Sequence, residues 1–293
     1  MRTVPDSLRR LGAALRILLV LTVLVGIAYP LAVTAIAQVP GLQSRADGSP
    51  VTRDGQVVGS ALLGQSFADA KGTPLPQYFQ GRPGGYDPTA SGASNLGPES
   101  IVDTLPDPAV KGDPGRPSLL TQVCTRSVAV GREFGADGRR PYCTADGVGA
   151  VLAVFYAQPS YRGAITRVVS VNQACPAAPF VATYRGVPVQ CARFGGDYAA
   201  GKLVPVRGAA PSRPAVPADA VTASGSGLDP DISPAYARLQ ERSVARARGI
   251  SVAQVAALVA AHEHARDLGF LGAARVNVLQ LNLALDAQYP LRR

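Results

Sequence analysis

The chain has 293 residues, an apolar content of 47% and a formal net charge of +9, carried almost wholly by arginine because Lys71, Lys111 and Lys202 are its only lysines. That length suits one sizeable domain or two small ones, and that apolar share excludes a globally disordered chain. A basic balance fits nucleic acid or an anionic membrane surface. No aromatic RNA-binding signature, zinc-finger spacing or basic heptad region accompanies it, which argues against nucleic acid as a partner.

The first predicted element is of membrane length. Ile17 to Ala37 reads "ILLVLTVLVGIAYPLAVTAIA" and carries no charge. At about 1.5 Å per residue it spans a hydrocarbon layer of about 30 Å. Arg2, Arg9, Arg10 and Arg16 precede it against Asp6, so the positive-inside rule puts residues 1–16 in the cytoplasm and the rest of the chain after Gln38 outside. Ala35-Ile36-Ala37 resembles a cleavage site, but the run exceeds the roughly 7–15 apolar residues of a signal core, which favours a retained anchor over a cleaved signal. Thr22 and Gly26, like Ala28 and Ala32, are small residues four apart. They suit close approach by another helix, and they suit a plain anchor equally well. Pro30 should loosen the helix near its outer end.

Next, Val51 to Gln65 reads as a hairpin turned at Asp54-Gly55. Tyr78 to Pro98 is too dense in Gly, Pro and Ser for a helix, while its aromatics argue against disorder. It contains "TASGASNLGP", and the same tetrad returns in "TASGSGLDPDISPAY" from Thr222. Prolines and aspartates mark a boundary from Val102 to Ser118. A cysteine-bearing segment comes after it, with an apolar run at Val148–Tyr156 and a strand pair turned at Arg185-Gly186. The proline-rich stretch Ala209–Pro217 closes it as a linker. Cys124, Cys143, Cys175 and Cys191 are an even set without C-x-x-C spacing, which outside the cell suggests two disulfides. Three pairings are open, and short loops favour Cys124–Cys143 with Cys175–Cys191.

In the last third, Ser233-Pro234 predicts a helix start and Gly249 its stop. Ser251 and Gln254 form a capping box opening a helix to about His264. From Arg275 to Asp286, Leu279, Leu281, Leu283 and Leu285 alternate with Gln280 and Asn282, which predicts a strand with one buried face. Together these elements predict an α+β domain behind one N-terminal transmembrane helix.

The chemistry-bearing patterns are sparse. His262-Glu263-His264 lacks the H-E-x-x-H spacing of a zinc site, and no G-x-S-x-G elbow occurs. No catalytic or metal-ligating residue is assigned. Ser224, Gly225, Ser226 and Gly227 resemble a phosphate-cradling loop, but no lysine comes after them, and Asp229 and Asp231 would repel an anion. Turn chemistry is the competing account. Arg238, Arg242 and Arg246 line one helix face, which suits lipid headgroups, an acidic partner or plain solvation.

Several long blocks carry a resemblance: "VVGSALLGQSF" (57–67), "YFQGRPGGYDPTASGASNLGP" (78–98), "VTASGSGLDPDISP" (221–234), "VARARGI" (244–250) and "LGFLGAARVNVLQLNLALD" (268–286). In this order, behind one anchor, the chain resembles the KdpC family, the C subunit of bacterial Kdp potassium-transporting ATPases. The resemblance divides the exported part into a core at 38–101 and 214–293 around a disulfide-bearing insert at 102–213 that looks lineage-specific. It implies a non-catalytic subunit of a potassium uptake pump. Its implied partners are a channel-like potassium-binding subunit and a P-type ATPase subunit. It implies a role in assembly, and that of a catalytic chaperone raising ATP affinity. No tightly bound cofactor is expected; ATP is expected through the complex, with direct contact left open.

Overall fold

The computed structural model describes residues 6–92 and 96–291. Positions 93–95 of the first repeated loop, like Arg2, lie outside the described residues. The chain divides into two units, Met1–Leu62 and Leu63–Arg293.

The first unit begins with helix α1 (Asp6–Val23), a π turn (Leu24–Ala28) and α2 (Tyr29–Ala37). Ser7–Ala37 is long and apolar enough to cross a membrane. Pro30 accounts for the π turn. Its ring cannot donate to the Gly26 carbonyl and would clash with it. The backbone widens instead, and Tyr29 N–H donates to Leu24 O. Such one-turn bulges are a common source of helix irregularity. Thr22 Oγ1 donates to Leu18 O at 2.8 Å. A Cβ placed on Gly26 would meet only the Thr22 methyl, at 3.9 Å. The Thr22/Gly26 strip is therefore shallow and has its polar hydrogen satisfied.

A short helix, α3 (Gln43–Ala46), leads to the hairpin β1 (Pro50–Arg53) and β2 (Gln56–Ser60). Asp54 and Gly55 both have positive φ, 52° and 79°. That is the turn whose twist matches paired strands.

In the second unit the described segment 63–118 has no regular element, although much of it is packed against the helices and strands that come later in the chain. Helix α4 (Leu119–Phe134) starts at the Ser118 cap and stops at Gly135, whose φ is 69°. Beyond it lies a five-stranded sheet, built from β3 (Val151–Gln158), β4 (Arg162–Ala174), β5 (Thr183–Tyr184), β6 (Val187–Ala192) and β7 (Lys202–Pro205) in the order β5-β6-β4-β3-β7. The β4–β6 pair is parallel and the others antiparallel. Both disulfides take the short-loop pairing, Cys124–Cys143 and Cys175–Cys191. The first fastens α4 to the turn before β3, and the second fastens the end of β4 to β6.

The cysteine-bearing segment is not separated from the rest by free linkers. Val123, Val130 and Phe134 of α4 pack on the main core, while Leu120 packs on the sheet. Val216, in the proline-rich stretch read as a linker, is buried in that same core. Arg140 Nη2 donates to Val216 O at 2.6 Å.

The main core is closed by β8 (Asp231–Ile232), α5 (Pro234–Arg248), α6 (Val252–Ala261), β9 (Glu263–His264), β10 (Arg275–Asn277) and α7 (Val278–Gln288). The caps behave as their residues predict. Ser233 Oγ accepts from Tyr236 N, Gly249 is left-handed, and Ser251 and Gln254 satisfy each other's backbone N–H. Helix α6 ends at Ala261, earlier than expected, because the chain turns into β9, where His264 pairs with Arg275.

The strand predicted over Arg275–Asp286 is corrected. Only Arg275–Asn277 is a strand, and Val278–Gln288 is helical. Asn277 caps the helix, its Oδ1 accepting from Gln280 N at 3.0 Å. Burial falls on Val278, Leu279, Leu281, Asn282 and Leu285, a spacing of a helix and not of a strand. Leucine, alanine and glutamine also favour helix over sheet.

Phe79 is the centre of this core, fully buried on a segment that has no strand partner. Its backbone groups must still be paired. Two buried amide side chains pair them. Phe79 N donates to Asn282 Oδ1 at 2.9 Å and Asn282 Nδ2 to Phe79 O at 2.9 Å. Gln80 N donates to Gln240 Oε1 at 2.7 Å and Gln240 Nε2 to Gln80 O at 3.1 Å. An Asn282→Leu variant keeps the volume but leaves two buried backbone groups unpaired. It should lose about 2–5 kcal/mol, measured by urea unfolding of the detergent-solubilised protein. Replacing Cys124 and Cys143 together by alanine should lower stability by about 2–4 kcal/mol, and adding reductant to that variant should lower it further through Cys175–Cys191.

Candidate functional site

The two repeated loops meet. Gly92 N, from the first "TASG", donates to Ser226 O of the second at 2.8 Å. The approach is possible because neither side carries a side chain there. A Cβ on Gly84 would lie 2.7 Å from the Gly227 carbonyl, and one on Gly227 would lie 3.1 Å from Gly92 O. Gly227 also has a φ of 70°, a conformation that favours glycine. From a third block, Gly64 N donates to Leu228 O at 2.7 Å. Segments far apart in the chain thus converge on residues 226–228.

Arg82 stitches this junction. Its Nη1 lies 3.1 Å from Asp229 Oδ2, while Nε and Nη2 donate to Thr222 O and Ala223 O at 3.3 and 3.0 Å. Tyr86 packs beside Gly64 and donates its hydroxyl to Arg82 O at 2.6 Å. Burial first, and then the Asp229 charge, push its pKa up to about 12, while Arg82 opposes the shift. Burial, with the neighbouring Asp229, also raises the pKa of Asp231.

The predicted phosphate-loop residues occupy this junction with their polar atoms engaged. Ser224 Oγ accepts from Asp229 N at 3.3 Å, and Ser226 Oγ accepts from Leu228 N at 3.1 Å. At the start of α5, Asp219 accepts from both Ser233 N and Ser233 Oγ. With Asp229 and Asp231 alongside and no lysine in the loop, this donor set does not fit a nucleotide phosphate. It fits turn chemistry that docks one loop on the other.

A cavity of about 560 Å³ remains between the loops and α4. Ser224, Gly225 and Gly227 line it, with Gly84, Gln122 and Arg126. Arg126 Nη1 donates to Val221 O at 3.1 Å and its Nη2 to Gln122 Oε1 at 3.2 Å. Half-burial lowers its pKa. Sequence reasoning missed Arg82 and Arg126, because nothing in the spacing of single arginines marks which carbonyls they will serve.

Other predicted positions stay apart from this site. Arg238, Arg242 and Arg246 are exposed on α5, with Arg238 paired to Glu263 at 2.8 Å. His262 Nδ1 lies 2.9 Å from Leu258 O at the end of α6. Among the described residues no group of three or more His, Cys, Asp or Glu could hold a metal ion.

A helix long and apolar enough to cross a membrane, ahead of an α+β unit, fits a protein located at a membrane whose distinguishing feature is the junction of glycine-rich loops. The family model described as "KdpC: K+-transporting ATPase, c chain" matches residues 11–103 and 200–287, the stretches that build that helix and that junction. Proteins described as potassium-transporting ATPase KdpC subunits are similar over nearly the whole chain. The one from Kineococcus radiotolerans is 37% identical over 97% of both chains. That from Sorangium cellulosum is 39% identical over 95% of this chain and 98% of its own. That from Mycobacterium tuberculosis is 36% identical, again over 95% and 98%. The chain belongs to the KdpC family. These alignments also run through the cysteine-bearing segment that the family model leaves unmatched, so relatives in three genera carry that segment too.

Replacing Arg82 by glutamine should lower stability by about 1–3 kcal/mol. Arg82→Lys should not restore it, because an ammonium cannot serve three acceptors in one plane. Thermal and urea unfolding check both.

Proposed function

We propose that this protein is a non-catalytic accessory subunit of an ATP-driven potassium uptake complex. The observation that carries the reading is membership of the KdpC family, matched in both the anchor-bearing and the C-terminal stretch. On this reading its partners are the channel-like potassium-binding subunit and the P-type ATPase subunit. Residues 1–16 face the cytoplasm and the main domain lies outside. Arg9, Arg10 and Arg16 at one end of the helix and two disulfides beyond the other support that orientation.

The subunit acts in assembly and raises the ATP affinity of the ATPase subunit without binding nucleotide itself. From outside the membrane such an effect travels through packed transmembrane helices as a coupling free energy, typically about 1–3 kcal/mol. The Thr22/Gly26 and Ala28/Ala32 pairs are the packing positions for that contact.

The exposed loop between β9 and β10 is the docking element on the folded domain. Leu268 is 81% exposed and Phe270 68%. A tight turn in which Asp267 and Leu271 exchange backbone hydrogen bonds at 3.0 and 2.9 Å holds them outward. Apolar side chains displayed on a rigid turn mark an interaction site.

Leu268→Ser with Phe270→Ser should leave the unfolding midpoint unchanged and abolish co-purification of the two large membrane subunits in mild detergent. Crosslinking from outside the cell should capture the same subunits. Labelling only from the cytoplasm would overturn the orientation.

A further inference from the structure

The family reading leaves the sheet of the cysteine-bearing segment without a role, and a cleft of about 710 Å³ opens on it. Two arginines, Arg167 and Arg193, line this cleft together with Gln190, Tyr198 and the Cys175–Cys191 disulfide. No carboxylate lines it. Neither arginine has a carboxylate partner among the described residues.

Neither cation is neutralised by a carboxylate, and the first is held in place by an aromatic ring. The Arg167 guanidinium stacks over the Phe155 ring, 3.9 Å from its centroid. Stacking fixes the plane and leaves the N–H edge free. Only the backbone of Arg193 is fixed: its N–H donates to the Tyr198 hydroxyl at 2.7 Å, and that hydroxyl donates back to Arg193 O at 3.4 Å, which sets the point from which an exposed guanidinium reaches over the cleft. The disulfide, with Pro176 and Pro179, also lines the cleft and stiffens it. Asp197, on the same turn as Arg193, is spent on a local bond: its Oδ1 accepts from Ala199 N at 2.9 Å. A neighbouring cavity of about 780 Å³ shares Arg193 and Tyr198 and is lined by Tyr161, Phe194 and Leu105 together with Asp103 and Asp197; Asp103, like Asp197, is engaged locally, accepting from Ser118 N and Thr121 Oγ1.

We infer that this cleft is a binding site for a phosphate-class oxyanion, clamped between the Arg167 and Arg193 guanidiniums. Two planar forks with free edges match an oxyanion's geometry. The cleft itself has no lining carboxylate to compete, while the two aspartates of the cavity alongside are engaged in bonds of their own. A free phosphate ester and an anionic lipid headgroup share this chemistry.

The test uses the full chain in phosphatidylcholine nanodiscs, with inorganic phosphate as the probe and chloride balanced. Phosphate binding is measured by calorimetry, and a second set of nanodiscs contains phosphatidylglycerol. Because both arginines are exposed, Arg167→Gln and Arg193→Gln should fold normally, and Arg242→Gln serves as a charge-matched control. Wild type and control should bind phosphate, with each cleft variant weaker by about tenfold or more. If free phosphate does not bind but phosphatidylglycerol is enriched around wild type and lost from the double variant, the headgroup is the source and the site stands. Binding that the double variant retains, or that the control loses equally, overturns the site. So does failure of both probes to bind wild type.

Discussion

The buried backbone of Phe79 and Gln80 is the constraint around which the larger unit is built. A segment without a strand or helix partner can enter a core only if something else serves its N–H and C=O groups. Asn282 on α7 and Gln240 on α5 do so, each offering one donor and one acceptor as a neighbouring strand would. Arg248 completes the enclosure. Its side chain is almost fully buried, pairs with Asp286 at 2.7 Å, donates to Gln77 O and Tyr289 O, and lies over the Tyr78 ring. A buried ion pair is tolerated when further hydrogen bonds satisfy it, as here. The chain ahead of the insert is thereby fixed to helices that lie beyond it in sequence.

That fixed segment aims the next residues. Directly after Gln80 come Gly81, Arg82 and Gly84, and the direction imposed by the amide clamps carries Arg82 to Asp229 and Gly84 to Gly227. The glycine-rich loops therefore meet for a reason that lies in the core. Their serines and aspartates serve the turn itself, which leaves little donor capacity for a ligand. For the accessory role proposed above, a rigid exterior matters more than a reactive one, and a junction of this kind supplies rigidity without a large hydrophobic core at the loop tips.

The features legible in the sequence are those set by local chemistry. The Ser233 and Ser251 caps, the Gly249 stop and the Asp54-Gly55 turn are decided by residues within a few positions of one another. The disulfide pairing accords with short loop closure. Helix α7 is not legible as a helix, because a segment buried on several sides puts leucine at every second position as readily as at every third or fourth. Asn282 looks like the polar face of a strand, and nothing near it in sequence announces Phe79 as its partner. Helix α4 and strand β4 escape a sequence reading for a related reason. Each is divided between two cores or interrupted by polar residues such as Thr166 and Arg167, so neither presents one clean period. Arg82, Arg126 and Arg248 serve carbonyls contributed by distant segments, which no local pattern records.

The position of α4 bears on what the cysteine-bearing segment is. A module hung on linkers would bury its own core and leave its host's surface polar. Here Val123, Val130 and Phe134 reach into the main core, the Phe134 and Tyr236 rings meet at 6.5 Å, and Arg126 and Arg140 bond to the carbonyls of Val221 and Val216. Removing the segment would uncover Tyr236, Val216 and Val221 and leave those carbonyls to water. The family model passes over 104–199, yet in this chain that stretch covers one face of α5. The disulfide at Cys124 fits this account. It joins α4, the helix that walls the cavity between the glycine loops, to the chain leading into the sheet.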